Sequence, residues 1–98
     1  MVKVIISTYG SVNKEAGWDC KEIKLEQARV TVGDVLRSAE LGGGRTLFDL
    51  VGHESGIKDG YTILLNERPL WNSDDLGIEI KSEDQVAALD ILYPIDGG

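Results

Sequence analysis

Residues 2–9 are rich in Val, Ile, Thr and Tyr, the composition of a β-strand, and a turn-like stretch from Gly10 to Trp18 follows. Over residues 20–29, Ile23 and Leu25 fall on one face while Lys24 and Glu26 fall on the other, which predicts a second, half-buried strand. The short connection makes it antiparallel to the first. The period then changes. Val32, Val35, Leu36 and Ala39 stand at i, i+3, i+4 and i+7, one apolar stripe of a helix. Thr31 and Asp34 form the S/T-x-x-D/E capping pattern at its start. Gly42-Gly43-Gly44 is expected to end it, since glycine accepts the left-handed conformation of a C-terminal cap.

A second Thr-x-x-Asp, Thr46 to Asp49, precedes Leu50 and Val51 and predicts another helical turn. Tyr61 to Leu65 reads as a strand followed by a turn at Asn66-Glu67-Arg68-Pro69, where Pro69 bars a fully paired central strand. Ser73-Asp74-Asp75 is a loop or helical turn, and Ile78 and Ile80 suit a short extended piece. The apolar run from Val86 to Ile95, interrupted by Asp90, predicts a last strand. If it pairs with the first strand it is central and parallel to it, which suits its nearly continuous apolar character. The order ββ, helix, ββ predicts an α+β domain with one main helix against a mixed sheet of four to five strands. A single domain over residues 1–98 is expected, with residues 95–98 as a projecting tail.

Bulk composition narrows the function. With 98 residues, such a domain buries roughly two-thirds of its unfolded surface without disulfides or metal. The net charge of −7 argues against a nucleic-acid surface, which requires clustered Lys and Arg. Cys20 is the single cysteine, so an internal disulfide is excluded. No apolar run approaches a membrane span, and the opening Met1 to Ser7 does not read as a signal peptide, so a cytoplasmic protein without membrane partners is expected.

Few residues suggest chemistry within the chain. His53 lies in an expected loop, and neither paired cysteines nor an HExxH pattern suggests zinc. Cys20 reads as a half-buried strand residue in place of a nucleophile. Gly42-Gly43-Gly44-Arg45-Thr46 lacks the phosphate-loop spacing and its lysine. Asp74-Asp75 and Glu83-Asp84 read as solvated turns, and Trp18 and Trp71 as packing residues. The informative feature is Gly97-Gly98. Without Cβ atoms, such residues thread a narrow groove and present an unhindered carboxylate to another protein's active site.

Four pieces of sequence together resemble the sulfur carriers of the MoaD/ThiS type and the ubiquitin-related modifiers close to them. They are Val2-Lys3-Val4-Ile5-Ile6, Thr31-Val32-Gly33-Asp34-Val35-Leu36, Ile63-Leu64-Leu65-Asn66, and Asp84-Gln85-Val86 leading to Tyr93-Pro94-Ile95-Asp96-Gly97-Gly98. The resemblance implies a β-grasp, ubiquitin-like fold. Members often carry Asn-Gly in the middle hairpin; Asn66-Glu67 here implies a different turn. They also often carry Asp-Gly-Asp before the last strand, where this chain has Ser82-Glu83-Asp84.

By that resemblance the protein is a carrier and not an enzyme alone, and it binds no cofactor or metal itself. An adenylating partner uses ATP to activate the Gly98 carboxylate. A sulfurtransferase's persulfide displaces AMP to leave a thiocarboxylate, with Gly97 keeping the approach clear. A larger synthase subunit then receives the tail, as in molybdopterin synthesis or related cofactor and tRNA thiolation. Pro94, Ile95 and Asp96 set how the tail enters its partner, Pro94 by holding the preceding residue extended. Two alternatives stand: a ubiquitin-like modifier joined through Gly98 to lysines, and a non-covalent interaction domain with an inert tail.

Overall fold

The computed structural model describes residues 2–27, 29–53, 56–81 and 86–92. The first strand, β1 (Val2–Thr8), alternates between core and surface along its whole length. Val2, Val4, Ile6 and Thr8 point to the core and Lys3, Ile5 and Ser7 to the opposite face. A short helix, α1 (Ser11–Ala16), follows within the stretch expected to be turn alone. Its start carries no side-chain cap, so the usual sequence signal is missing, but it buries Val12 and Ala16. Gly17 closes it in the left-handed conformation at φ 83°.

Strand β2 (Cys20–Leu25) returns antiparallel to β1, with Val4 opposite Ile23 and Val2 opposite Leu25. It is shorter than the sequence pattern suggested. Helix α2 (Val32–Ser38) begins at Thr31 in a reciprocal cap, where the Asp34 amide donates to the Thr31 hydroxyl and the Thr31 amide to the Asp34 carboxylate. The expected stripe is buried at Val32, Val35, Leu36 and Ala39.

The end of α2 departs from expectation. Ala39, in extended backbone, caps it, and the three glycines instead connect β3 (Glu40–Gly42) to β4 (Arg45–Thr46). Gly42 pairs with Arg45, so Gly43-Gly44 is a two-residue hairpin loop with φ 63° and 77°. That geometry matches the twist of the flanking strands and demands positive φ at both loop positions. Glycine satisfies a hairpin loop and a helix cap equally well, so composition could not choose between them.

Helix α3 (Leu47–Val51) starts where the second Thr-x-x-Asp predicted, with the Thr46 amide donating to the Asp49 carboxylate at 2.8 Å. A small ribbon of β5 (Gly52–His53) and β6 (Gly56–Ile57) leads to β7 (Thr62–Leu65). Strand β8 (Arg68–Leu70) pairs antiparallel with β7. Pro69 lies in an edge strand, consistent with its missing amide donor. Helix α4 (Ser73–Leu76) is capped by Asn72, whose side chain accepts from the amides of Asp74 and Asp75. Beyond it, Thr31 and Glu79 form an isolated antiparallel bridge.

The final strand, β9 (Ala87–Leu92), lies parallel to β1 and antiparallel to β7. Five strands thus stand in the order β2-β1-β9-β7-β8, with the last in sequence at the centre. Ala87, Leu89 and Ile91 pack with Val4, Ile6 and Ile63 and with Val32, Val35 and Leu36 of α2 in one core. The architecture is the expected α+β arrangement, a mixed five-stranded sheet with its helices.

The turn from β7 to β8 was expected to differ from the Asn-Gly type, and it does not. Leu65 pairs with Arg68, leaving Asn66-Glu67 as a two-residue loop with φ 50° and 72°. Asn is among the few side-chain-bearing residues that visit this left-handed region readily, and here its side chain accepts from the Ala88 amide of the final strand. Glu67 has no such help and carries backbone strain there.

Candidate functional site

Of the residues expected to carry function, Pro94, Ile95, Asp96, Gly97 and Gly98 lie outside the described residues. What the structure defines is where the chain sets out toward them. Leu92, the last residue of β9, lies opposite Thr62 of β7. On the other side Ile91 pairs with Thr8, and the Tyr9 amide donates to the Ile91 carbonyl at 3.0 Å. Both edges of β9 are therefore hydrogen-bonded up to its final turn of register. Gly98 is six residues further along the chain, within about 22 Å of Leu92 at full extension.

Two exposed aromatic residues among those described stand at this end of the sheet. Tyr9 follows β1 and is 48% exposed. Trp71 follows β8, one position beyond the Leu70–Ile63 pair, and is 73% exposed. Its packing role, expected from sequence, is not observed. Trp18 does pack partly against the core. The Lys21 ammonium sits 5.6 Å from the centre of the Trp18 ring, and the Trp18 carbonyl accepts from the buried Thr8 hydroxyl.

The other candidates gain no chemistry from the fold. Cys20 opens β2 opposite Ser7 and is exposed, not half-buried. Asp74 and Asp75 occupy the first turn of α4, where the Asp75 carboxylate accepts from the backbone amides of Trp71 and Asn72. The Asp75 carboxylate is spent on capping. Glycines 42–44 form the hairpin described above, beside a small open depression of about 170 Å³ lined by Glu40, Gly44, Arg45 and Thr46. That volume is below the range of small-molecule sites. Among the described residues, no group of three His, Cys, Asp or Glu is placed to hold a metal ion. Nor is any helix long and apolar enough to cross a membrane.

One feature escaped the sequence reading. On the face of the sheet opposite the core, Ala88, Asp90 and Leu92 alternate with the buried residues of β9. Asp90 is half-buried there, between Ser7 of β1 and Leu64 of β7. The charge was visible as a break in an apolar run, but only the pairing shows it to be the centre of a face.

No protein-family model matches the chain, and neither does any curated protein. Solved structures do. SAMP1 from Haloferax volcanii superposes with a TM-score of 0.71 at 19% identity, over 98% of this chain and 99% of that one. A protein assigned as molybdopterin converting factor subunit 1 from Pyrococcus furiosus gives 0.63 at 22% identity, over 97% and 100%. The small archaeal modifier protein 1 from Methanosarcina acetivorans gives 0.65 at 22% identity, over 100% and 98%. At such identities the likeness speaks to architecture, and it is end to end: the chain has the β-grasp fold of ubiquitin-like small modifier and sulfur-carrier proteins.

Proposed function

We propose that the protein is a sulfur carrier whose reactive group is the Gly98 carboxylate. The observation that supports this most is the central position of β9, paired with β1 up to Ile91 and with β7 up to Leu92, and followed after four residues by Gly97-Gly98. A carboxylate is a poor electrophile. A partner enzyme joins it to AMP from ATP and releases pyrophosphate. The terminal sulfur of a partner's persulfide then attacks the acyl carbon and AMP departs. A second thiol cleaves the resulting acyl persulfide at its S–S bond, leaving a thiocarboxylate on Gly98 and a disulfide behind. Glycine at positions 97 and 98 keeps the path to the carbonyl free of side chains. Pro94, Ile95 and Asp96 guide the tail into the partner, and a larger synthase subunit takes the sulfur, in line with the likeness to a molybdopterin converting factor subunit.

A second reading is favoured by the likeness to two archaeal modifier proteins. If a lysine amine attacks the same adenylate, an isopeptide forms and the protein is a modifier. Deleting Gly98, or adding one alanine after it, tests what both readings share. Either change is expected to abolish adenylation by the partner without altering the melting temperature. Adenylation that persists in both variants refutes a role for Gly98.

A further inference from the structure

The two edges of the five-stranded sheet are finished differently. A sheet edge offers unpaired amides and carbonyls to other strands, and proteins blunt it with short strands, proline or charge. The β8 edge is three residues long and carries Pro69. The β2 edge, Cys20–Leu25, is six residues long and has neither proline nor glycine. The Thr8 amide donates to the Asp19 carbonyl at 2.9 Å, which fixes the phase of the ladder between β1 and β2. By the alternation of an antiparallel pair, Lys21, Ile23 and Leu25 bond to β1, while Cys20, Glu22 and Lys24 turn their amides and carbonyls outward. Among the described residues no backbone group meets them.

Charge alone blunts this edge, and the charges are ordered. Glu22 and Lys24 are exposed on the face away from the core. Lys21, on the core side, is engaged within its own chain: its ammonium donates to the Glu40 carbonyl at 3.3 Å and sits 5.6 Å from the centre of the Trp18 ring. Two copies of β2 related by a two-fold axis pair antiparallel, and the place of the axis sets which residues face each other. Two registers keep the core faces of both sheets on one side and pair five of the six β2 residues. An axis at Glu22 sets Glu22 against its own copy, which repels. An axis at Ile23 sets Glu22 against Lys24 twice, in the pairs where the outward backbone groups also meet.

We infer that β2 joins two copies of this chain, antiparallel about Ile23, with Glu22 of each copy against Lys24 of the other. The two sheets then continue as one of ten strands, and the backbone groups that β2 turns outward find partners. A charge pattern that rejects other strands thereby selects its own copy. Because β9 runs parallel to β1 and antiparallel to β2, the axis directs the Leu92 ends of the two copies to opposite ends of the shared sheet. The seam is separated from β9 by β1 and leaves the β8 edge uncovered. The inference is independent of the sulfur-carrier reading.

The test is sedimentation velocity of the full chain at about 0.15 M salt, over a concentration series reaching about 1 mM. It compares the wild type with Glu22→Lys and Lys24→Glu, each alone and the two mixed, with melting temperatures confirming that each is folded. The wild type is expected to form a dimer whose population rises with concentration. Each single reversal sets like charges together in both facing pairs and is expected to weaken self-association about tenfold or more. Glu22→Lys is expected to do so although it takes the net charge from −7 to −5, one acid lost and one base gained, so that overall repulsion alone predicts the opposite. Mixed in equal amounts, the two variants are expected to associate with each other at about the wild-type affinity, because every facing pair is again of opposite sign. The double variant Glu22→Lys/Lys24→Glu is expected to dimerise for the same reason. A wild type that stays monomeric throughout overturns the inference. So does self-association that neither reversal weakens, and so do folded single variants that fail to associate on mixing.

Discussion

Asn66 and Ala88 exchange two hydrogen bonds of 2.8 Å: the Asn66 amide donates to the Ala88 carbonyl, and the Ala88 amide donates to Asn66 Oδ1. Asn66 thereby ties the turn between β7 and β8 to the second residue of β9. Asn66 also sits at φ 50°, where alanine is strained. Asn66→Ala is expected to cost about 1–3 kcal/mol, through the unsatisfied Ala88 amide and the strained backbone together. Asn66→Asp keeps the acceptor and is expected to cost less. Chemical denaturation of the two variants ranks them.

Glu67, the next residue, takes φ 72° without a side chain suited to it. Glu67→Gly removes the left-handed strain but adds chain entropy to the unfolded state. The balance is an expected gain of about 0.5–1 kcal/mol, seen as a rise in melting temperature of about 2–8 °C. No change, or a loss, shows that the loop relaxes around the glutamate at no cost.

The reciprocal cap at Thr31 and Asp34 begins α2, which buries Val32, Val35 and Leu36 in the core. Thr31→Ala is expected to destabilise the protein by about 1 kcal/mol, while Thr31→Ser is nearly neutral. Equal losses in both variants would place the cost in the methyl group's packing instead of the cap.

Leu89 is fully buried in β9, in the core shared with α2. Leu89→Ala is expected to cost about 2–5 kcal/mol, by lost burial and the cavity it leaves. Its outward-facing neighbour Asp90 makes no ion pair among the described residues, so Asp90→Asn is expected to keep or raise the melting temperature.

Most of the fold was legible because its signals are local. Thr31-x-x-Asp34 with the stripe at Val32, Val35, Leu36 and Ala39 specifies a helix, and the apolar run through Leu89 and Ile91 specifies a buried central strand. What escaped was decided by tertiary context. Helix α1 has no capping side chain and is held by burying Val12 and Ala16. The glycines at 42–44 serve a hairpin whose partner strands are too short to leave a periodic pattern. Asn66-Glu67 keeps a tight turn because the bonds to Ala88 come from another strand. At the candidate site, Gly97-Gly98 suggests chemistry from sequence alone, whereas the place of Asp90 between Ser7 and Leu64 is set by the strand register.

The most direct measurement is intact mass spectrometry of the full chain after incubation with the host's activating enzyme, ATP and a persulfide donor. A species carrying one sulfur in place of one oxygen, mapped by fragmentation to Gly98, is the expected product. If the chain is adenylated and the only new species has Gly98 joined to a lysine amine, the protein is a modifier and the sulfur-carrier reading is wrong.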